Sequence, residues 1–541
     1  MTLPSLCGLL SAVVLVIAPA LFAAQAAPNI VVIYTDDQGY GDISTLNPKS
    51  KFQTPNLDRL AREGLIFTDA HCGGTRCTPS RYALLTGRYP WRSTYKSGGT
   101  HAEGPCLIAK DRATVASMLK GQGYRTAMFG KWHLQMIFPG TVGHRDWSQP
   151  IRDGPTEHGF DSFFGIPASM NYGLLGFIRD NRFVEPPTVW SRMKRDPQGD
   201  NQRLVLPYDR VSQSDEDIEV APSFRDDRCL GTIIERAIEF IDASRSGTER
   251  RKPFFAYLAL TAPHLPLAPA PEFVGRSTIG EYGDFMLELD HRIGQVLAAL
   301  ERNGLARDTL VIVSSDNGAE THYRNRIVQH AHSSNGELKG GKRDIYEGGH
   351  RVPFIARWPA VISAGRRTAE VVAQTDLFAT LAEIAGAKIP ANAAEDSFSL
   401  LPVFKGEDYP RPLRAPLIHL SGNGFFSIRD GRWKLNLFRG SGGSLAPTFV
   451  VPKTNEPPFE LYDMTEDWRE TRNVHDQHPE VVARLKARAT EFVRNGRSTP
   501  GVRQKNEGPE LWPELTWIGG APPLPAVPAR KKARASKREG Q

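Results

Sequence analysis

The chain has 541 residues, 40% hydrophobic and 23% charged, which excludes a chain without a core and is too long for one ordinary domain. Its five cysteines, Cys7, Cys72, Cys77, Cys106 and Cys229, show no C-x-x-C or zinc-type spacing, which excludes a disulfide scaffold. Five of the seven net positive charges come from the six Lys/Arg and one Glu between Arg530 and Gln541, so the remainder is nearly balanced and no nucleic-acid partner is expected.

Residues 1–27 read as a signal peptide. Leu9 to Phe22 is apolar, and Ala24-Gln25-Ala26 is a small-x-small cleavage pattern, so the mature protein is expected in the periplasm or secreted. The apolar run is short for a membrane span, and no transmembrane anchor is expected.

Asn29–Thr35 (NIVVIYT) is a β-branched run that predicts a buried strand. Leu57, Leu60 and Ala61 give 55–65 helical spacing, and 113–119 repeats it. A strand over 124–129 follows, then an amphipathic helix over 227–244 with Ile233, Ile234, Ala237, Ile238 and Ile241 on one side. Next come a strand over 253–260, a long helix over 279–303 that Gly304 can end, a strand over 309–315 and a helix over 374–385. This alternation predicts an α/β fold over residues 28–409, with a large, mostly parallel sheet flanked by helices. Beyond a Pro/Arg-rich link, a hairpin over 425–437 turns at Asp430-Gly431 and a closing helix spans 481–494, so 410–520 is expected to form a smaller C-terminal α+β subdomain. Residues 521–541, Pro-rich and then basic, read as a disordered tail.

Four of the predicted strands lead into polar residues. Asp36 and Asp37 follow the first, Lys131 and His133 the second, His264 the third, and Asp316 and Asn317 the fourth. In open α/β sheets ligands bind at that edge, and core packing does not require polar clusters there.

The run Cys77-Thr78-Pro79-Ser80-Arg81-Tyr82-Ala83-Leu84-Leu85-Thr86-Gly87-Arg88 reads as C-[TS]-P-S-R-x-x-L-x-[TS]-G-R. It resembles the signature of the type I sulfatases of the alkaline phosphatase superfamily, in which a maturation enzyme oxidises the cysteine to formylglycine. Pro79 and Ser80 suit a helix start and Tyr82–Thr86 its body, which would set residue 77 at a positive helix end, where anions bind. The resemblance implies a formylglycine hydrated to a gem-diol. One hydroxyl attacks the sulfate sulfur and the desulfated alcohol leaves; the second hydroxyl then loses its proton, expelling sulfate and restoring the aldehyde.

The other motifs resemble the same family. Asp36, Asp37, Asp316 and Asn317 match its early D-D and late D-N-G. They supply hard oxygen ligands suited to Ca²⁺, with Mg²⁺ the alternative, and residue 77 completes the implied metal set. Asp42 is a spare acid, read as structural. Arg81, one helical turn from residue 77, suits a hydrogen bond to the diol. Lys131 and His133 lie in the family's G-K-W-H, and an extended segment would point both to one side. His264 matches A-P-H-x-P, implying an acid for the leaving oxygen. Lys342, ahead of Tyr346-Glu347-Gly348-Gly349, matches the sulfate-binding lysine, with Lys339 its competitor by position. Ser169 resembles a further sulfate contact. Trp91 and Arg92 either line the pocket or pack. His71, His101, His144, His158, His322, His330, His332 and His350 carry no spacing signal. Phe459–Asp463 resembles the family's E-L-Y-D strand without the proline that often follows.

The resemblance implies a sulfatase that hydrolyses sulfate monoesters of a carbohydrate. The stretch from Gly165 to Pro187 resembles enzymes acting on 6-O-sulfated galactose or N-acetylgalactosamine. Its expected partners are that sulfated carbohydrate and a formylglycine-generating or sulfatase-maturing enzyme. The alternatives are a formylglycine-dependent phosphonate monoester or phosphodiester hydrolase, and an inactive glycan-binding homologue.

Overall fold

The short apolar runs become the centre of a ten-stranded sheet. In this computed structural model the described residues are 27–195, 202–204, 217–244 and 252–524, so the signal peptide and the basic tail read from sequence lie almost wholly outside them. Strands β1 (Asn29–Thr35), β2 (Arg125–Lys131), β3 (Phe254–Ala259) and β4 (Thr309–Ser315) lie side by side in the order β2-β3-β1-β4, all parallel. Ser162–Ile166 extends the parallel run beyond β2. Beyond β4, Phe354–Arg357 runs antiparallel and carries Leu65–Phe67 and then Arg366–Thr368. The sheet is therefore parallel through its centre and mixed at its edges.

Burial on both faces explains why the central strands read as unbroken apolar runs. In β1, Ile30, Val32 and Tyr34 belong to one apolar cluster and Val31 and Ile33 to the other. The helices Asp226–Ala243 and Glu281–Arg302 cover the second face through Ile233, Ile234, Leu289 and Ile293. On the first face, helix α1 (Cys77–Thr86) buries Leu84 and Leu85 against Leu377, Phe378 and Leu381. Leu65, read as the end of a helix, instead opens a strand, because the helix Pro55–Glu63 stops at Gly64 in an extended conformation.

Leu417–Leu420, Phe426–Asp430, Trp433–Asn436 and Glu460–Asp463 form a four-stranded antiparallel sheet in chain order. Gly431 takes a left-handed φ of 54° at the expected hairpin turn. Leu417, Ile428 and Leu435 share the first apolar cluster with Val32, so the small sheet and the large one close over common packing. A buried polar seam lies between the small sheet and the segments around His71 and Glu347–His350. His350 stacks on His419 at 3.7 Å and faces His71 with a 3.0 Å Nδ1–Nδ1 approach, while Lys434 lies between Glu347 (3.0 Å) and Glu470 (2.7 Å). Cys72, Cys77, Cys106 and Cys229 are free, and among the described residues no helix is long and apolar enough to cross a membrane.

The glycine before Lys131 is dictated by packing. Gly130 has φ +113°, and a Cβ there would lie 1.9 Å from the Ala259 carbonyl oxygen of β3. Gly165 of the next strand is as tight, its added Cβ falling 1.8 Å from the Gly130 oxygen. Gly130→Ala is expected to cost upward of about 2 kcal/mol. The check is the denaturant midpoint, and an unchanged midpoint would contradict this account of the β2–β3 contact.

Candidate active site

The loop before α1 is clamped to the helix it precedes. Ser80 Oγ donates to the Gly74 carbonyl (2.5 Å) and accepts from the Gly74 N–H (3.2 Å). Because that hydroxyl is used on the loop rather than as an N-cap, the helix starts earlier than Pro79 and Ser80 suggest. It begins at Cys77, with Arg76 the extended N-cap residue (φ −143°). Cys77 thus occupies the first turn, at the positive end of the helix dipole. At the other end Gly87 turns left-handed (φ 63°), and Arg88 bonds Tyr82 and Glu507, fixing the helix along its length.

The order β2-β3-β1-β4 makes the four polar strand ends neighbours. Asp36, Asp37 and Asp316 are buried carboxylates, each facing a cation. Lys131 Nζ lies 2.6 Å from Asp36, Lys342 Nζ 2.7 Å from Asp37, and Arg81 Nη2 2.8 Å from Asp316. Arg81 also approaches Asp36 (3.6 Å) and donates to the Lys131 carbonyl (3.2 Å), so one side chain of α1 ties three strand ends together. Asn317 Nδ2 donates to Asp37 Oδ1 (2.7 Å), and the Asp37 N–H donates to Asp316 Oδ1 (3.0 Å). Burial and the Asp36 charge, opposed by Arg81 and Lys131, push the Asp316 carboxyl up to about 6.

Cys77 lies against this cluster. Burial and Asp316 push its thiol up, but Lys131, Lys342 and a hydrogen bond from His264 outweigh them and hold it at about 5. Two histidines of the cluster are driven in opposite directions. Burial works against protonating His264, yet Asp37 at 3.6 Å raises it above the usual histidine range. His133 is held well below that range by burial and then by Lys131 and Arg81. Its Nε2 lies 3.2 Å from the Thr100 carbonyl, which places the hydrogen there, and its buried Nδ1 has no hydrogen-bond partner. His133 is not extended as the sequence suggested. It has a left-handed φ of 54°, and the chain reverses immediately after β2. Ser169 Oγ is buried without a hydrogen-bond partner, in the loop whose Pro167 carbonyl accepts from the His133 N–H (2.9 Å).

The donor set fits a hard divalent cation. Ligand atoms of Asp36, Asp37, Cys77 and His264 all lie within 4.8 Å of one another. Cys77 Sγ there stands in for the oxygens that formylglycine would carry. Asp36 Oδ1 and Asn317 Oδ1 are buried and accept no hydrogen bond, as expected of oxygens reserved for a cation. Asp42 takes no part, since its carboxylate serves the Gly39 N–H, the Tyr282 hydroxyl and His332.

Of the two competing lysines, Lys342 reaches Asp37, while Lys339 donates to the Glu470 carbonyl and lies over the Tyr346 ring. Trp91 and Arg92 are fully buried and Arg92 pairs with Asp396 (2.7 Å), so both pack and neither lines the site. His71 and His350 belong to the seam, and His158 pairs with Asp153. Sequence reasoning missed Glu320, which lies 3.6 Å from Lys342 and borders a cavity of about 190 Å³ that also touches Asp37 and His322. Tyr172, edge-on to His133 at 5.0 Å, was missed as well. Neither has a local sequence signal.

The chain is similar to known proteins. The Sulfatase family profile matches residues 28–387, and that of the C-terminal region of N-sulphoglucosamine sulphohydrolase matches 340–439. The N-acetylgalactosamine-6-O-sulfatase of Bacteroides thetaiotaomicron is 32% identical over 483 residues, 85% of this chain and 91% of that protein. Arylsulfatase A of Homo sapiens is 33% identical over 489 residues, 86% and 87% of the two chains. A solved structure from a study of the metabolism of multiple glycosaminoglycans by Bacteroides thetaiotaomicron superposes with a TM-score of 0.73 at 30% identity, covering 86% of this chain and 99% of its own.

Adding Ca²⁺ or Mg²⁺ to chelator-treated protein is expected to raise its melting temperature, because the cation binds the folded state alone. Asp316→Asn should abolish the rise. An equal rise in the variant would remove Asp316 from the cation site.

Proposed function

The chain belongs to the sulfatase family and is a sulfuric ester hydrolase, and from that premise we propose that it removes sulfate from a sulfated carbohydrate in the periplasm or outside the cell. Galactose or N-acetylgalactosamine 6-sulfate is the proposed substrate. Relatives named as N-acetylgalactosamine-6-sulfatases, including that of Mus musculus at 32% identity over 423 residues, support this choice. The observation that carries the reading is Cys77 at a helix N-terminus, facing Lys131, Lys342 and His264.

Formylglycine at position 77, made by a maturing enzyme, would supply a hydrated aldehyde as nucleophile, and Ca²⁺ held by Asp36, Asp37, Asp316 and Asn317 would supply Lewis-acid polarisation. The chain's own side chains do the rest. Lys131 and Lys342 place two ammonium groups where a sulfate's charge gathers, in a buried setting that strengthens their pull. Arg81 holds the strand ends at fixed separation and so keeps the nucleophile's helix in register with the carboxylates. His264 bonds the Leu265 carbonyl through Nδ1, leaving Nε2–H to protonate the departing sugar oxygen. His133, neutral and with a lone pair on its unpartnered Nδ1, is the base that accepts a proton. Environments that push two like groups apart assign the acid and the base.

Cys77→Ala is expected to lose about 10⁴-fold or more in turnover while keeping its fold. The measurement is sulfate release from N-acetylgalactosamine 6-sulfate, after peptide mass has verified conversion of Cys77 in the parent protein. Faster turnover of a phosphodiester than of any sulfate ester would overturn the substrate reading.

The raised pKa of His264 sets the alkaline limb. Sugar-sulfate turnover should fall as pH climbs through a value above the ordinary 6.5, because the acid must be protonated. His264→Ala should remove that limb and cost about a hundredfold on sugar sulfates, but far less on 4-nitrophenyl sulfate, whose leaving group needs no proton. Equal losses on the two substrates would reject His264 as the acid.

A further inference from the structure

The charges of the reacting centre balance, with three carboxylates against Arg81, Lys131 and Lys342. Arg76, one residue before Cys77, has no such counterpart. Among the described residues its side chain makes no hydrogen bond or ion pair, although it is half-buried and its Nε is fully covered. Its donors are therefore uncommitted within the fold, and its planar fork matches a carboxylate or a sulfate.

Arg76 lies at the rim of the site. An added Cβ on Gly99 would sit 3.4 Å from Arg76 Nη1. The next residue, Thr100, bonds Thr78 through its hydroxyl (2.8 Å) and lies beside His133 through its carbonyl (3.2 Å). On the other side, a Cβ on Gly422 would come within 2.8 Å of Arg76 Nε and 2.7 Å of Arg343 Cβ. Gly422 belongs to the turn between the first two strands of the C-terminal sheet. It is pinned by its N–H to the Arg343 carbonyl (2.7 Å) and by its carbonyl to the Gly98 N–H (3.1 Å). Arg343 has a left-handed φ of 81° and forks onto Glu320 (2.5 and 2.8 Å). The absent side chain at 422 thus lets two arginines lie side by side, one neutralised and one not.

We propose that Arg76, flanked by Arg343 across Gly422, is a subsite for a second anionic group on the substrate, a carboxylate or a further sulfate on the same or the adjoining sugar. The preferred substrate is then an acidic oligosaccharide rather than a singly sulfated neutral sugar. This rests on the carbohydrate-sulfatase reading above.

The test compares kcat/KM on three substrates: N-acetylgalactosamine 6-sulfate, the same sugar linked to a uronic acid, and N-acetylgalactosamine 4,6-disulfate. At least one dianionic substrate should exceed the monosulfate by about tenfold or more, and which one does identifies the anion. Arg76→Gln should collapse that ratio toward one. Gly422→Ala should do the same by displacing the guanidinium; peptide mass verifies conversion of Cys77 in every protein. A ratio near one in the parent, or a ratio that survives both substitutions, overturns the subsite alone. No turnover of any of the three by fully converted protein overturns the carbohydrate-sulfatase reading and the subsite with it.

Discussion

Three carboxylates buried at the ends of adjacent parallel strands are the constraint from which the rest of the site follows. Two like charges 4 Å apart repel by about 4 kcal/mol even at an effective dielectric of 20, so Asp36, Asp37 and Asp316 demand compensation. The chain supplies it from three distant places: α1 through Arg81, β2 through Lys131, and the segment before Tyr346 through Lys342. Each cation drags its own element into position. Arg81 docks α1 on the strand ends, Lys131 follows the closely packed Gly130 of β2, and Lys342 brings its neighbour Arg343, paired with Glu320, to the rim. The geometry that serves catalysis is thus also what makes so dense a cluster of acids tolerable.

Much of this was legible in the chain because parallel strands buried on both faces announce themselves as apolar runs and end in residues a core would reject. Asp36, Lys131, His264 and Asp316 stand out on that basis alone, at the ends of four such runs. Extended geometry misled at His133, where the left-handed turn depends on contacts with Thr100 and the 167–172 loop that no local pattern encodes. Pro79 and Ser80 likewise suggested a later helix start, because the loop that captures the Ser80 hydroxyl is a tertiary partner. Arg76 and Gly422 are separated by hundreds of residues, and only the folded turn shows that one makes room for the other.

The C-terminal sheet is accordingly part of the site's wall. It shares packing with the large sheet through Leu417, Ile428 and Leu435, and a buried seam sets its His419 and Lys434 against His71, His350, Glu347 and Glu470 of the segments packed on it. Such a seam fixes orientation better than apolar contact alone, because every member has to meet its partner. The turn that carries Gly422 inherits this rigidity, which is what a recognition element at the rim requires.

Cys77 is only 4% exposed, sits in the first turn of α1 and is backed by two lysines and a histidine. A small ester can enter such a place, but another protein's catalytic groups cannot close around it. The enzymatic oxidation proposed for this side chain would therefore belong to the interval before α1 docks on the strand ends. The two events would compete in time, since folding that outran oxidation would bury an intact thiol. Yield of working enzyme would then be a kinetic quantity, and a well-folded preparation by itself would say nothing about how much of it can react.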